Sequence, residues 1–304
     1  MNNSLDNPAY RFWHRHIHHD HSRNTPQDWR DQERAISQYG RGIEETLHFV
    51  MQQRPSFAAF EEWLQLAIPA PPPEPVADVF TPEDMDFWHT NGYIVLRNAV
   101  PPAQCKAAAD AIWAFIDADP ADPASWYSDH SGKRGLMLTA FQHPAFAANR
   151  HSPRVRRAYE QLYGSTPIFL LIDKASFNPP VTSQYNFAGS DLHWDVSLQM
   201  PIPYELQGLL YLTDTQAHDG AFHCVPGFHH KAAEWTARFG STQDARNAAP
   251  QELNPVPVTG NAGDLVIWHQ ALPHCATPNR GTVPRMVQYI AYKPVATETH
   301  EQWI

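Results

Sequence analysis

The sequence predicts an α+β protein with a mainly β core: a β-sandwich or barrel with flanking helices and an N-terminal helical extension. Two observations favour this fold class. Apolar residues recur at helical spacing from about residue 24 to 66, whereas the C-terminal half has short apolar runs separated by Gly, Pro, Asn and Asp. Short strands with turn signals between them are typical of β-sandwiches and barrels.

The first 75 residues are expected to form the helical extension. Ile43, Leu47 and Val50 lie at helical spacing, and a second apolar run covers residues 57–64. The pattern stops at Pro69-Ala70-Pro71-Pro72-Pro73-Glu74-Pro75, which should adopt a stiff extended form. We therefore predict an extension and linker over residues 1–75 and a barrel domain over residues 76–304.

The elements that follow begin with a short helix. Thr81-Pro82-Glu83-Asp84 combines an N-cap, a proline in the first turn and acidic residues suited to the helix dipole. The next run, Tyr93-Ile94-Val95-Leu96-Arg97, predicts a strand, and residues 104–116 predict a helix. Further strands are expected over residues 168–172, 209–212, 265–268 and 287–292.

Composition limits the classes of partner and compartment. The net charge of -10 disfavours binding to nucleic acid or to anionic membranes, because both usually require a basic face. No apolar run approaches the roughly 20 residues that span a bilayer. The first residues lack the pattern of a secretory signal, and the 3 cysteines do not suggest a disulfide framework, so a cytoplasmic location is expected.

Two clusters of charged or metal-binding residue types receive ordinary interpretations. Arg150, Arg154, Arg156 and Arg157 are expected to form a solvated helix face rather than an anion site. The histidine-rich N-terminus is not expected to form a functional metal site, since no cysteine or carboxylate accompanies it at fixed spacing. Its histidines are His14, His16, His18, His19 and His21.

The triplet His193-Trp194-Asp195 is the leading candidate for a metal site. Alternate residues of a strand point to one face, so His193 and Asp195 could both reach one ion. Two histidines and a carboxylate are the ligand set of a mononuclear non-haem Fe(II). His274 is our candidate for the second histidine, and His269 is the competing one, because it also follows the apolar strand that begins after Gly263-Asp264.

The downstream spacing makes the triplet more specific. Arg285 follows His274 by eleven positions, with Asn279 between them. With these residues the chain resembles the phytanoyl-CoA dioxygenase family of Fe(II)/2-oxoglutarate oxygenases, over roughly residues 80–294. The family's opening helix and strand are similar to Phe80-Thr81-Pro82-Glu83 through Asn91-Gly92-Tyr93-Ile94-Val95-Leu96. Its central turn segment and its P-G-x-H segment are similar to Asp219-Gly220-Ala221 and Val225-Pro226-Gly227-Phe228-His229. The resemblance implies a double-stranded β-helix (jelly-roll or cupin-like) barrel.

The resemblance implies a cofactor set and a role for each matching residue. His193, Asp195 and His274 would hold Fe(II), and Arg285 would grip the far carboxylate of 2-oxoglutarate as a two-pronged donor. Oxygen would take the remaining position, and 2-oxoglutarate would be converted to succinate and CO2. The related iron halogenases lack the carboxylate of Asp195, so the resemblance favours hydroxylation.

Further contacts to the cosubstrate are predicted less directly. The family often has a small hydroxylated residue two positions after the distal histidine, where this chain has Ala276, and Thr277 is our candidate to replace it. Tyr211 lies on an expected core strand near the cosubstrate, although core packing is an equal alternative. Lys174 is expected to face the barrel interior, with a strand-edge lysine as the alternative.

The expected substrate is a small molecule, either amino-acid-like or a natural product. An acidic protein is a poor match for the phosphates of coenzyme A. Two alternatives stay open: a jelly-roll protein that binds or senses metal without catalysis, and an oxygenase that acts on a carrier-bound or acyl-CoA substrate.

Four aromatic residues near the triplet could line a pocket or pack in the core, namely Trp126, Tyr127, Phe187 and Trp194. His229 and His230 are expected to pack behind a Pro-Gly turn.

Overall fold

The computed structural model describes residues 5–20, 22, 25–68, 71–72 and 74–296. The α-helices of the described residues are α1 (Pro8–His18), α2 (Pro26–Ser37), α3 (Ile43–Gln53), α4 (Phe57–Gln65), α5 (Pro82–Asn91), α6 (Pro102–Phe115), α7 (Pro144–Arg150), α8 (Pro153–Tyr163), α9 (Ala232–Ala237) and α10 (Thr242–Glu252). The strands are β1 (Tyr93–Leu96), β2 (Lys133–Arg134), β3 (Met137–Leu138), β4 (Ile168–Asn178), β5 (Leu206–Tyr211), β6 (Phe222–Cys224), β7 (Val256–Val258), β8 (Leu265–His269), β9 (His274–Cys275) and β10 (Arg285–Pro294).

Two antiparallel sheets form the core of the molecule. The larger has the strand order β1-β8-β5-β10-β4-β3-β2, and the smaller has the order β7-β6-β9. Side chains on β5, β8 and β10 alternate between two hydrophobic clusters, as the pleat of a strand requires. Leu209, Val266 and Val287 pack with the smaller sheet, whereas Leu210 and Ile267 pack with the flanking helices.

Local signals in the sequence explain where several elements begin and end. Thr81 caps α5, and its hydroxyl accepts from the amide of Asp84, whose carboxylate accepts in return from the amide of Thr81. The helix ends at Gly92, which adopts the left-handed conformation that glycine tolerates best. The chain then turns directly into β1, which pairs with β8.

The N-terminal helices α1 to α4 enclose a hydrophobic cluster of their own, which includes Phe12, Ile36, Val50, Phe60 and Leu64. Polar contacts also join this region to the barrel. The described residues of the proline-rich segment, 71–72 and 74–75, belong to no helix or strand, while Pro69, Ala70 and Pro73 lie outside the described residues. The domain boundary at residue 75 stays a prediction.

The structure confirms the predicted fold class and most predicted elements. The four expected barrel strands correspond to β4, β5, β8 and β10, although β4 continues to Asn178, well beyond the expected residue 172. Helix α1 lies within the predicted helical extension but before the stretch of helical spacing that begins at about residue 24, because its histidines obscure the buried positions Ala9 and Phe12. None of the helices in the described part of the chain is both long and apolar enough to cross a bilayer.

Candidate metal centre

Backbone pairing brings the two candidate histidines together across 81 positions of sequence. The amide of His193 donates to the carbonyl of His274 at 3.0 Å, and the amide of His274 donates to the carbonyl of His193 at 2.9 Å. His274 lies on β9, whereas His193 forms an isolated bridge and is not part of a longer strand, contrary to expectation. The indole of Trp194 donates to the carbonyl of Ala271 at 2.9 Å, which ties the two segments together again.

The three predicted ligand residues converge on one point. Their candidate ligand atoms all lie within 4.8 Å of one another. Asp195 Oδ2 lies 3.2 Å from His274 Nε2, and Asp195 Oδ1 lies 3.5 Å from His193 Nε2. His274 is buried, while the Asp195 side chain is half exposed because it faces a cavity. This is the three-residue set of a facial non-haem iron site.

Hydrogen bonds to the backbone orient both imidazoles. His193 Nδ1 lies 2.7 Å from the carbonyl oxygen of Asp191, and His274 Nδ1 lies 3.2 Å from that of Leu272. A carbonyl can only accept, so each Nδ1 carries the proton and each Nε2 is left with its lone pair. Such a contact typically fixes the tautomer of a metal-binding histidine.

The electrostatics of the cluster favour a cation at its centre. Burial opposes ionisation of Asp195, but the two imidazoles and the amide of Gln207 outweigh it and hold the pKa of the carboxyl well below its usual range. Hydrogen bonding to Asp195 raises the pKa of His193, although burial opposes this. Once the proton that these contacts place at Nε2 is lost, two imidazole lone pairs and a carboxylate would face one another. A divalent ion would relieve their repulsion, so the residues fit iron.

Arg285 enters the same cavity from the first position of β10. It is 4% exposed, and its Nε has no hydrogen-bond partner among the described residues. A buried guanidinium normally pairs with an anion, since burying an uncompensated charge is costly. The arginine therefore offers a fixed two-pronged donor to a carboxylate in a cavity of about 640 Å³ that also contains His193, Asp195 and His274.

Lys174 lines this cavity, but its amino group has a partner. Lys174 Nζ lies 2.5 Å from Glu44 Oε2, on helix α3 of the N-terminal region. Asp173 also lines the cavity, although neighbours in a strand normally point to opposite faces. A register shift between Gln288 and Ile290 on β10 sets both residues against Tyr289, and such a bulge can direct successive side chains to one side.

Two residues predicted to contact the cosubstrate have other uses. The Tyr211 hydroxyl donates to the carbonyl of Val258 at 2.7 Å and accepts from the amide of Phe222 at 3.0 Å, so it links the two sheets. The Thr277 hydroxyl donates to the carbonyl of Ala221 at 3.2 Å. Neither lines the cavity of Arg285. Both hydroxyls satisfy backbone groups, so the geometry gives these two assignments no support and they stay predictions.

The competing histidine His269 ends β8 away from the ligand cluster. Its Nδ1 accepts from the amide of Ala271 at 2.9 Å, and its ring stacks on that of His229, with centroids 5.3 Å apart. Burial, with the nearby His229 and His230, lowers the pKa of His269 to about 4. The ring nitrogens of His229 and His230 both contact the carbonyl of His89, so these histidines pack as a small group.

The aromatic residues near the triplet do not share one location. Phe187 lines the cavity of the metal cluster. Trp126 and Tyr127 line a different cavity, of about 570 Å³. Trp194 is buried in the core. Only Phe187, of these four, is placed to contact a molecule bound near the metal cluster.

The arginine cluster does not form the uniformly solvated helix face that the sequence predicts. Arg150 is buried and donates to the carbonyls of Phe141 and Asp173, so it is not solvated as expected. Arg156 and Arg157 pair with Glu160.

Among the N-terminal histidines, the ring of His14 contacts that of His18 on helix α1, and His21 lies outside the described residues.

Sequence reasoning missed two residues near the metal cluster. Gln207 Nε2 donates to Asp195 Oδ2 at 3.0 Å, and Tyr289 lines the cavity four positions after Arg285. Alternation along β10 from Arg285 could have indicated Tyr289, because the residues at 285, 287 and 289 share one face. No local signal marks Gln207, since its partner is twelve positions away in an irregular segment.

One family model matches most of the chain. The family model described as phytanoyl-CoA dioxygenase (PhyH) matches residues 88–287, about two thirds of the chain. A putative phytanoyl-CoA dioxygenase of Dictyostelium discoideum is 23% identical over 266 residues, which cover 70% of this chain and 75% of the relative. The matched region contains the predicted metal ligands and Arg285.

Solved structures show the same fold at low identity. The non-haem α-ketoglutarate-dependent carbocyclase SnoK from nogalamycin biosynthesis superposes with a TM-score of 0.54 and 19% identity, covering 72% of this chain and 86% of its own. EvdO2 from Micromonospora carbonacea var. aurantiaca, complexed with 2-oxoglutarate, gives a TM-score of 0.52 and 18% identity, covering 75% and 96%. At such identities the likeness concerns the fold.

Proposed function

Because this chain belongs to the phytanoyl-CoA dioxygenase family, we propose that it hydroxylates a C–H bond of a small molecule, with conversion of 2-oxoglutarate to succinate and CO2. Its reaction class is that of the Fe(II)- and 2-oxoglutarate-dependent oxygenases. The proposal concerns the finer points: which residues hold the metal and cosubstrate, which outcome follows, and what kind of molecule is oxidised.

The observation that carries the proposal is one cavity with two complementary features. His193, Asp195 and His274 supply three ligand atoms for a divalent metal, and Arg285 supplies a buried guanidinium without a partner at its Nε. A dicarboxylate with a keto group at one end matches both features, since one end can chelate the metal while the other end pairs with the arginine.

Each side chain has a distinct part in the reaction. With 2-oxoglutarate and oxygen, bound iron supplies the oxidising power, and one oxygen atom enters succinate while the other enters the substrate. The protonated Nδ1 atoms of His193 and His274 keep the Nε2 atoms directed at the metal. Arg285 neutralises the far carboxylate, and the apolar wall of Leu209, Phe222 and Trp268 limits access of water.

Hydroxylation is supported by the presence of Asp195. With Asp195 as the third protein ligand, no position would be free for a halide ion, so the substrate carbon would receive hydroxyl. The carboxylate is also charged, because its pKa is held well below the usual range. Epimerisation or ring closure would depend on how the substrate lies rather than on the ligands.

The charges around the cavity support a polar, amino-acid-like substrate. Lys174 pairs with Glu44, and Lys293 lies 3.1 Å from Glu33, so neither lysine is available to the phosphates of coenzyme A. Asp173 makes no ion pair among the described residues, and burial raises its pKa. Lys174 and Arg150 partly offset the effect of burial, and a substrate ammonium group beside Asp173 would add a direct ion pair.

The first test is spectroscopic and needs no substrate. Anaerobic addition of Fe(II) and 2-oxoglutarate should produce the visible charge-transfer band of the chelate. Asp195→Ala should lose the band through loss of the metal, and Arg285→Ala should require far more 2-oxoglutarate to reach it. A well-folded intact protein without the band would defeat the proposal.

The second test addresses the substrate and separates an enzyme from a metal-binding sensor. Candidate amines are screened for substrate-dependent succinate release, each beside its N-acetylated counterpart, which keeps the carbon skeleton but not the charge. We expect release with amines only, and Asp173→Asn should reduce this preference. A sensor would form the chelate band yet release no succinate, and equal turnover of both forms would exclude the amine site.

A further inference from the structure

A polar chain leads from the core of the barrel to the metal cluster. Gln207 on β5 and Trp268 on β8 are directly opposite each other in the larger sheet. Trp268 Nε1 donates to Gln207 Oε1 at 3.0 Å, and Gln207 Nε2 donates to Asp195 Oδ2 at 3.0 Å. Trp268 is 3% exposed, so the first member of the chain is fixed by packing.

The direction of this chain follows from the chemistry of its members. An indole N–H can only donate, so the amide group of Gln207 must turn its oxygen towards Trp268. The NH2 group then faces Asp195, which as a carboxylate can only accept. The carboxylate and the indole therefore favour the same orientation of the amide. Without the indole N–H, Oε1 would lose its donor and the amide would be freer to rotate away from the carboxylate.

Asp195 needs such support more than the two histidines do. Each histidine is tied by an Nδ1 contact to a backbone carbonyl. Asp195 lies outside any strand, and its side chain is half exposed to the cavity. From outside the cluster of candidate ligands, the amide of Gln207 donates a hydrogen bond to its carboxylate, whereas Arg246 holds the backbone on either side through the carbonyls of Trp194 and Val196.

We propose that Gln207 is a positioning residue for the metal site, and that Trp268 acts through it. By holding Oδ2, the amide restricts rotation of the carboxylate that would bind the metal. The inference rests on the metal site of the proposed function but not on its substrate. Contacts of this kind typically change metal affinity 10- to 100-fold when they are removed.

The test measures metal binding in the absence of substrate. Metal-free protein is titrated with Co(II), an oxygen-tolerant substitute for Fe(II) whose visible bands report coordination geometry. Gln207→Met keeps the length and volume of the side chain but cannot donate. We expect it to bind Co(II) about 10- to 100-fold more weakly, with altered bands. Gln243→Leu, on the exposed face of α10, is the control for loss of a glutamine and should match the parent protein.

Trp268→Phe tests whether the indole acts through the amide. It removes the donor while keeping an aromatic ring, and we expect weaker Co(II) binding by a smaller factor than for Gln207→Met. The double variant should be no weaker than Gln207→Met alone, because the tryptophan has no separate route to Asp195. Circular dichroism establishes whether each variant is folded. If Gln207→Met does not fold, Trp268→Phe alone tests the positioning role.

The outcomes separate the inference from the function on which it rests. If the parent protein binds no Co(II), the proposed metal site is wrong. If the parent binds and folded Gln207→Met has the same affinity and spectrum, the positioning role is overturned. If the losses of Co(II) affinity in the two single variants multiply in the double variant, Trp268 acts independently of Gln207, and the proposed action through the amide is overturned.

Discussion

Glu44 Oε2 lies 2.5 Å from Lys174 Nζ, and this ion pair joins helix α3 of the N-terminal region to the wall of the metal cavity. The helical extension is thus more than an appendage, because one of its carboxylates neutralises a lysine that would otherwise attract anions into the cavity. Arg285 is left as the cavity cation with an unpartnered nitrogen among the described residues.

The first prediction compares how much Lys174 and Arg285 each contribute to binding of 2-oxoglutarate. Lys174→Met should change the dissociation constant of 2-oxoglutarate less than about 3-fold, since its amino group already has a carboxylate partner. Arg285→Met should raise this constant at least about 100-fold, because charged hydrogen bonds contribute about 1.5–3 kcal/mol each. Titration of the chelate band measures both. A comparable loss in Lys174→Met would restore that lysine to the cosubstrate site.

The second prediction distinguishes His274 from His269 as the metal ligand. His274→Ala should reduce Co(II) binding at least 100-fold, because it removes one of three ligand atoms. His269→Asn should bind Co(II) like the parent protein, since the asparagine oxygen can still accept from the amide of Ala271. Loss of binding in His269→Asn together with retention in His274→Ala would reverse the assignment.

The sequence predicted the frame of the site but not its polar surroundings. Strands and helices were predictable because alternation and helical spacing record which side of each element is buried. His193, Asp195, His274 and Arg285 were predictable because their spacing matches a family pattern. The direction of β10 then places Arg285 in the cavity.

The remaining contacts depend on partners that lie far away in the chain. The hydroxyl of Tyr211 is used by Val258, and the amino group of Lys174 is used by Glu44. Gln207 acquires its role only because Trp268 is opposite it in the sheet. No local pattern in the sequence encodes such pairings. Only the fold shows that Tyr211 links the two sheets and that Lys174 belongs to an ion pair.

The third prediction concerns acid stability. The folded protein holds the pKa of His269 at about 4, below its ordinary value of 6.5, mainly through burial. Between these two values the unfolded chain takes up a proton that the folded protein refuses, so stability falls as the pH falls from about 6.5 to about 4. From pH 7 to 5 this histidine should account for a loss of about 2 kcal/mol in unfolding free energy.

His269→Asn supplies the matched measurement for that effect, because asparagine does not titrate. Urea unfolding at a series of pH values should give a shallower loss of stability for the variant over the same interval. The neighbours His229 and His230 are kept unchanged, so their contribution is common to both proteins. Parallel pH profiles for the two proteins would contradict the assignment to His269.

The last prediction concerns how the N-terminal region is held against the barrel. Arg30 Nη2 lies 2.5 Å from Glu205 Oε1, and both side chains are largely buried. Removing one member of a buried pair leaves an uncompensated charge, whereas the half-exposed Glu44 can be hydrated when it loses its partner. Arg30→Leu should therefore weaken docking of α2 by about 2 kcal/mol, and Lys174→Met by less than about 1 kcal/mol.

The figure for Arg30→Leu stays below that of a fully isolated charge because Lys293 lies 3.6 Å from Glu205. Amide hydrogen exchange in α2 measures the difference, and the double variant Arg30→Leu/Glu205→Leu should recover part of the protection, since neither charge then remains. Equal exchange in Arg30→Leu and Lys174→Met would show that the buried pair has no special part in holding the extension.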